Sequence, residues 1–199
     1  MKSVANTYFT RIAAKAEKAG IRKNTEESHK WFIDNLKNIR NISRKALLND
    51  NVLTTRSKPL IGRMFMYFYD PKYKETLPYY DQFPLIIMVE PAKNGFYGLN
   101  LHYLPPRVRA VFFDRLLEYA NNKKLNPKTR LMLTYEMLSS TRKLRAFQPC
   151  YKRYLFDHIA SKVVEVPPTA WEAALFLPTD SFVYADRRKI WRDSLPFQK

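Results

Sequence analysis

Between Gly62 and Pro106 the chain carries "GRMFMYFYD", "PLIIMVE" and "FYGLNLHY", three runs rich in aromatic and branched residues, the last two joined by "AKNG". An Asn-Gly pair tolerates the positive φ that a tight hairpin needs, so the second and third runs are predicted to pair antiparallel. The first run is set apart by "PKYKETLPYYDQFP", whose prolines at 71, 78 and 84 block regular pairing and predict a fixed, extended excursion. The expectation for residues 62–106 is a small antiparallel SH3-like β-barrel.

Helical patterns lie on either side. "TYFTRIAAKAEKAG" places Phe9, Ile12, Ala13 and Ala16 on one face, and Gly20 can end the helix in a left-handed conformation. Asn24 with Glu27 resembles a capping box for "ESHKWFIDNLKNI", and Ser43 is a candidate cap for a short helix through Leu48. "LPPRVRAVFFDRLLEYANN" opens a helix with Pro106 near its first turn, and Asn126 with Pro127 starts another at "NPKTRLMLTYEMLSS". "YKRYLFDHIASK" is predicted helical, "VVEV" a short strand, "PPTAWEAALFLP" a turn into a short helix, and the remainder an exposed, proline-broken tail. The predicted class is α+β: a basic helical arm over 1–61, the barrel over 62–106, and a helical region with one strand over 107–199 packed on the barrel.

Charge is distributed unevenly over this plan. The formal net charge is +17; residues 1–61 hold 13 Lys plus Arg against 5 acids and residues 107–162 hold 13 against 4. The strand block has 4 against 4 and residues 163–199 have 5 against 5, so the excess sits on the two helical flanks. Clustered cations gain free energy by releasing counterions from a phosphate backbone, which makes nucleic acid the first partner to consider and an acidic protein surface the second. "STRKLRAFQPCYKRY" interleaves Arg142, Lys143, Arg145, Lys152 and Arg153 with Phe147, Tyr151 and Tyr154. Such a pattern can set cations on phosphates and rings on exposed bases, or it can be a solvated basic face over core aromatics.

Several chemistries lack their residues. With glycine only at 20, 62, 95 and 98, neither a phosphate-cradling loop nor a dinucleotide fingerprint is present. His29, His102 and His158 are far apart, and His102, at a strand end, reads as a hydrogen-bonded structural imidazole. Asp70, Asp81 and Glu90, with Lys93, are the one carboxylate set worth weighing for a metal-dependent nuclease, but turn and cap positions account for each of them. The single cysteine, Cys150, forms no internal disulfide and suits packing in a reducing cytosol. The N-terminus has no apolar signal core, and no apolar run approaches the ~20 residues of a membrane span. No catalytic residue, metal or cofactor is predicted.

The segment "GRMFMYFYDPKYKETLPYYDQFPLIIMVEPAKNGFYGLNLHYLPP", with "CYKRYLFDHIASKVVEV", "WEAALFLPTDSF" and "KIWRDS", resembles a family of small virion proteins of T4-like tailed bacteriophages, the DNA end protectors, over about residues 40–195. The resemblance implies a non-enzymatic protein on the termini of packaged linear phage DNA, near the head–tail junction, that blocks a host exonuclease. It implies synthesis in the host cytoplasm, residence in the virion, and portal, neck or tail subunits as neighbours. A neck, tail-tip or baseplate component is the alternative. In either case no membrane is involved. The residues expected to neutralise phosphate are Arg142, Lys143, Arg145, Lys152 and Arg153, then Arg107, Arg109, Lys123 and Lys124, with Arg40, Arg44 and Lys45 from the N-terminal side; Phe147 and Tyr151 are the stacking candidates.

Overall fold

Asn94 adopts φ 58° and turns the chain between residues 85–92 and 95–100, which closes the hairpin that its Asn-Gly pair predicts. The computed structural model describes residues 8–37, 39, 42–120, 124 and 126–194. Among these, the strands are β1 (Thr54–Arg56), β2 (Met64–Met66), β3 (Tyr80–Asp81), β4 (Leu85–Ala92), β5 (Gly95–Asn100), β6 (Tyr151–Leu155), β7 (Val163–Val166) and β8 (Phe182–Val183). The helices are α1 (Tyr8–Lys18), α2 (Glu26–Leu36), α3 (Arg44–Leu48), α4 (Pro106–Ala120), α5 (Pro127–Ser140), α6 (Trp171–Phe176) and α7 (Arg187–Ser194).

The class is α+β, but the predicted SH3-like barrel is replaced by an open antiparallel sheet of six strands in the order β1-β7-β2-β4-β5-β6, with β3 and β8 paired apart from it. "VVEV" is the strand β7 that its sequence predicts, and it lies inside the sheet between β1 and β2. The edge strands of the sheet are β1 and β6, which do not pair with each other among the described residues, so the circle is not closed. A single bridge, Tyr69 to Ile159, and a 2.8 Å bond from the Ala160 N–H to the Phe68 carbonyl draw the chain after β6 across the opening instead.

The sheet is nevertheless strongly curled. Tyr67, just past β2, and Tyr154 on β6 bring their ring centroids to 5.6 Å although β4 and β5 lie between their strands. On a flat sheet, strands spaced about 4.8 Å apart would separate them by about 14 Å. The concave face buries Phe65, Tyr67, Ile86, Met88, Phe96 and Tyr154. The opposite face buries Met64, Met66, Leu85, Ile87, Val89 and Leu99 under helices. Burial on both faces is why β4 reads as an unbroken apolar run rather than an alternating one. At the centre of the helical layer α6 is buried along its whole length and packs against α1, α2 and α4.

Three local expectations change. Residues 151–155 form a strand, not a helix, because the alternation of Lys152 and Tyr154 against Tyr151 and Arg153 suits the free edge of β5. Thr25 caps α2 in place of Asn24: its hydroxyl accepts from the Ser28 N–H while the Ser28 hydroxyl accepts from the Thr25 N–H, and Asn24 takes the preceding turn at φ 58°. The exposed tail is replaced, through residue 194, by α7, which buries Ile190 and donates from Trp191 Nε1 to the His102 carbonyl at 2.9 Å.

Candidate nucleic-acid interface

The mouth of the concave face is a cavity of about 340 Å³. One wall is β6, which contributes Lys152, Arg153, Tyr154 and Leu155; the other is the proline-fixed excursion, which contributes Pro71, Lys72, Tyr73, Leu77 and Tyr79. A 3-10 turn at Lys74–Thr76 and the ion pair of Lys74 with Asp70 hold that wall in shape. Between the walls lie Tyr69, Tyr80, Asn100 and Tyr103.

Among the described residues Asp81 is the only acid that lines the cavity, and its oxygens are already engaged. It accepts from Asn100 Nδ2 at 3.1 Å, from the backbone N–H groups of Phe83 and Ser181 at 3.1 and 3.0 Å, and meets His102 Nδ1 at 2.6 Å. Burial acts to raise this carboxyl, but His102 and the hydrogen bonds prevail and hold it below the usual carboxylate value. His102 Nε2 lies 3.1 Å from the Thr179 hydroxyl, so Asp81, His102 and Thr179 are connected in the order of a hydrolase relay. His102 is 0% and Thr179 1% exposed, which leaves the hydroxyl no route to a substrate. The relay is a girder between β3, the end of β5 and the segment before β8, as the structural reading of His102 anticipates.

Lys152 extends from β6 opposite Gly98 and holds its ammonium 4.5 Å from the centre of the Tyr103 ring. It has no carboxylate partner among the described residues, and burial pushes its pKa below the ordinary lysine value. Burial also pushes the hydroxyls of Tyr69, Tyr79, Tyr103 and Tyr154 above the usual tyrosine range, so no phenolate opposes an anion there near neutral pH. Tyr73 is 65% exposed at the rim, and Lys72 Nζ lies 5.2 Å from its ring centre. The cavity thus offers aromatic faces and uncompensated cations, a combination suited to a phosphorylated, stackable ligand.

A family model described as phage T4 terminal DNA protecting protein matches residues 2–194. The chain belongs to that family. No curated protein and no solved structure compared with it matches. As a terminal DNA protecting protein it protects DNA ends and is not an enzyme. Among the described residues no helix is long and apolar enough to cross a membrane, and no group of three or more His, Cys, Asp and Glu is placed to hold a metal ion. Asp70 pairs with Lys74, Asp81 is buried on His102, and Glu90 meets Arg142 and Tyr151, so the three carboxylates weighed for a nuclease serve separate local roles.

The basic residues expected to serve this terminal DNA protecting protein are placed in different settings. Arg142, Tyr151 and Arg153 converge near the β4–β5 turn: Arg142 Nη1 and the Tyr151 hydroxyl both reach Glu90 Oε1, at 3.3 and 2.6 Å, and Arg153 Nη2 donates to the Lys93 carbonyl at 3.0 Å. Lys143 and Arg145 are exposed in the two 3-10 turns before β6, with no ion pair among the described residues. Arg107, Lys45 and Lys124 are also exposed. Arg40 and Lys123 lie outside the described residues.

Arg109 does not reach the surface. It is 3% exposed and donates to the carbonyls of Leu104, Leu175 and His102 at 2.7, 2.8 and 3.2 Å; burial lowers its pKa to about 10. Arg44 is half-buried, donating from Nε to the Thr179 carbonyl at 2.8 Å and from Nη2 to the Asp180 carbonyl, and these bonds tie α3 to the segment before β8. Of the stacking candidates, Phe147 is half-buried and packs on Phe112 at 5.1 Å against the core, and Tyr151 has one face covered by Tyr97 at 5.3 Å and 13°. The tyrosines of the cavity were not singled out by charge counting, because they belong to the neutral block; the Lys-Tyr alternation of "PKYKETLPYY" is the signal that marks them.

Proposed function

We propose that the chain caps the ends of linear phage DNA by neutralising phosphates with Arg142, Lys143, Arg145, Lys152 and Arg153, assisted by Arg107, Lys45 and Lys124, and denies an exonuclease its starting point by occupancy. The observation that carries this reading is the run from Arg142 to Arg153, whose exposed cations lead along the chain to the cavity mouth. Phosphate contacts carry no base code, so binding is independent of sequence. Within a virion the protein sits on the termini of the packaged genome near the head–tail junction, beside portal, neck or tail subunits. The net charge of +17 favours DNA over a neck, tail-tip or baseplate surface, which would need matching acidic subunits.

Competition binding of the full chain to a linear duplex and to a closed circle of the same sequence tests this. The linear form is expected to bind more tightly, and log affinity to fall with log salt at about 0.9 per phosphate contacted. Equal affinity for the two forms overturns the reading.

A further inference from the structure

We propose that the cavity at the mouth of the concave sheet binds one unpaired nucleotide at the end of the DNA, its base among the tyrosine rings and its phosphate on Lys152 with Lys72 at the rim. This inference rests on the DNA-end reading and specifies what part of the end the protein grips. At about 340 Å³ the cavity lies at the small end of ligand sites, which run from about 300 to 1,000 Å³; it admits a nucleotide and excludes a base pair.

The chemistry of the lining selects the ligand class. Tyr73, exposed at the rim, and Tyr79, half-buried below it, present rings to the cavity, while Tyr103, 3% exposed, backs Tyr79 at 6.1 Å and 37° and carries the Lys152 ammonium over its ring. Stacking on such rings is tolerant of base identity. Lys152 is desolvated and holds its ammonium over the Tyr103 ring with no ion pair among the described residues, so a phosphate in the cavity would supply a charge partner. Asp81 keeps its charge, but it is 4% exposed and its oxygens meet four hydrogen-bonding partners, so it turns no open oxygen toward a phosphate. Asn100 is likewise committed, donating to Asp81 and accepting from the His102 N–H at 3.0 Å, so its amide is not left to read a base edge.

The geometry also fits the way a duplex end would arrive. Arg153 lines the cavity next to Lys152 and can hold a backbone phosphate outside while a single frayed or overhanging nucleotide enters beside Lys152. Base unstacking costs least at an end, where one neighbour is already missing.

The test compares linear duplexes that carry one unpaired 3′ or 5′ nucleotide with the same duplexes carrying an abasic sugar phosphate at that position. For at least one polarity the nucleotide is expected to bind about tenfold more tightly than its abasic counterpart. Tyr73→Ala, at an exposed position, is expected to bring that ratio close to one with thermal stability unchanged, and Lys152→Gln to reduce it. Equal affinity of nucleotide and abasic ends for both polarities, or a ratio insensitive to both substitutions, overturns the inference while leaving end capping intact. Failure of every linear duplex to outcompete a closed circle overturns end capping itself, and this inference with it.

Discussion

Arg109 Nη1 donates to the carbonyl of Leu175 at 2.8 Å, joining the first turn of α4 to α6 across 66 residues of sequence. The same guanidinium also satisfies Leu104 and His102, whose carbonyls lie where the strand block gives way to helix. One buried cation therefore fastens three segments.

Removing it should act on folding and not on DNA. Arg109→Ala orphans the buried carbonyls of Leu104 and Leu175, each costing about 1–3 kcal/mol, while the His102 carbonyl keeps its bond from Trp191, so a loss of about 2 kcal/mol or more is expected in urea denaturation. Arg107→Ala, two residues away and exposed, should leave the denaturation midpoint within about 0.5 kcal/mol of the parent. If the two variants lost stability equally, the assignment of Arg109 to the fold would be wrong.

Asp81 gives the fold an acid limb. Its folded-state pKa lies below its unfolded one, so its contribution is complete above the unfolded value of about 3.9 and disappears as pH falls through the folded value. Asp81→Asn should be less stable than the parent near pH 7, and the gap should narrow below about pH 4. Denaturation midpoints across a pH series read this directly; a gap that stays constant down to pH 2 would place the acid sensitivity elsewhere.

Gly95 leaves no room for a side chain against β6. A Cβ there would lie 1.9 Å from the Tyr154 carbonyl oxygen, whereas at Gly98 it would meet the Ile86 side chain at 3.3 Å. Gly95→Ala should therefore force β6 off β5 and cost about 3 kcal/mol, at the upper end of overpacking penalties, while Gly98→Ala costs less. Hydrogen exchange should show lost protection at Phe156, whose N–H donates to the Asn94 carbonyl at 3.0 Å beside Gly95, in the first variant; retention of protection there would contradict the packing.

Lys143 and Arg145 stand clear of the fold, so their loss should be felt only by DNA. The double substitution Lys143→Ala with Arg145→Ala should lower the slope of log affinity against log salt by up to about 0.9 for each contact removed, with the thermal midpoint unchanged. An unchanged slope would move the phosphate contacts to other residues.

Much of the fold was legible where the signals are local. Asn126 accepts from the Thr129 N–H and starts α5 as its Asn-Pro pair implies, and Asn94 turns the β4–β5 hairpin. The strand β6 was hidden because Tyr151, Lys152, Arg153 and Tyr154 mix charge with aromatics, and only the free edge of β5 selects period two over a helical turn. Residues Thr54–Arg56 are exposed throughout, so nothing in their pattern announces that they pair with β7. The cavity was illegible for the same reason: its walls, residues 71–79 and 152–155, meet only after the sheet curls. The basic residues were visible as a count, but which of them face outward depended on burial that spacing does not encode, as Arg107 and Arg109 show.

The position of β6 at one end of the sheet order bears on crowding. A strand with an open flank is a template on which another copy could extend the ladder, and wherever many copies are made at once that is a route to fibrous aggregates. Lys152 and Arg153 sit on that strand, so two such strands brought together would set like charges against each other. The cations assigned to phosphate thus also act as a guard against self-association, and neutralising them would be felt first as precipitation during synthesis.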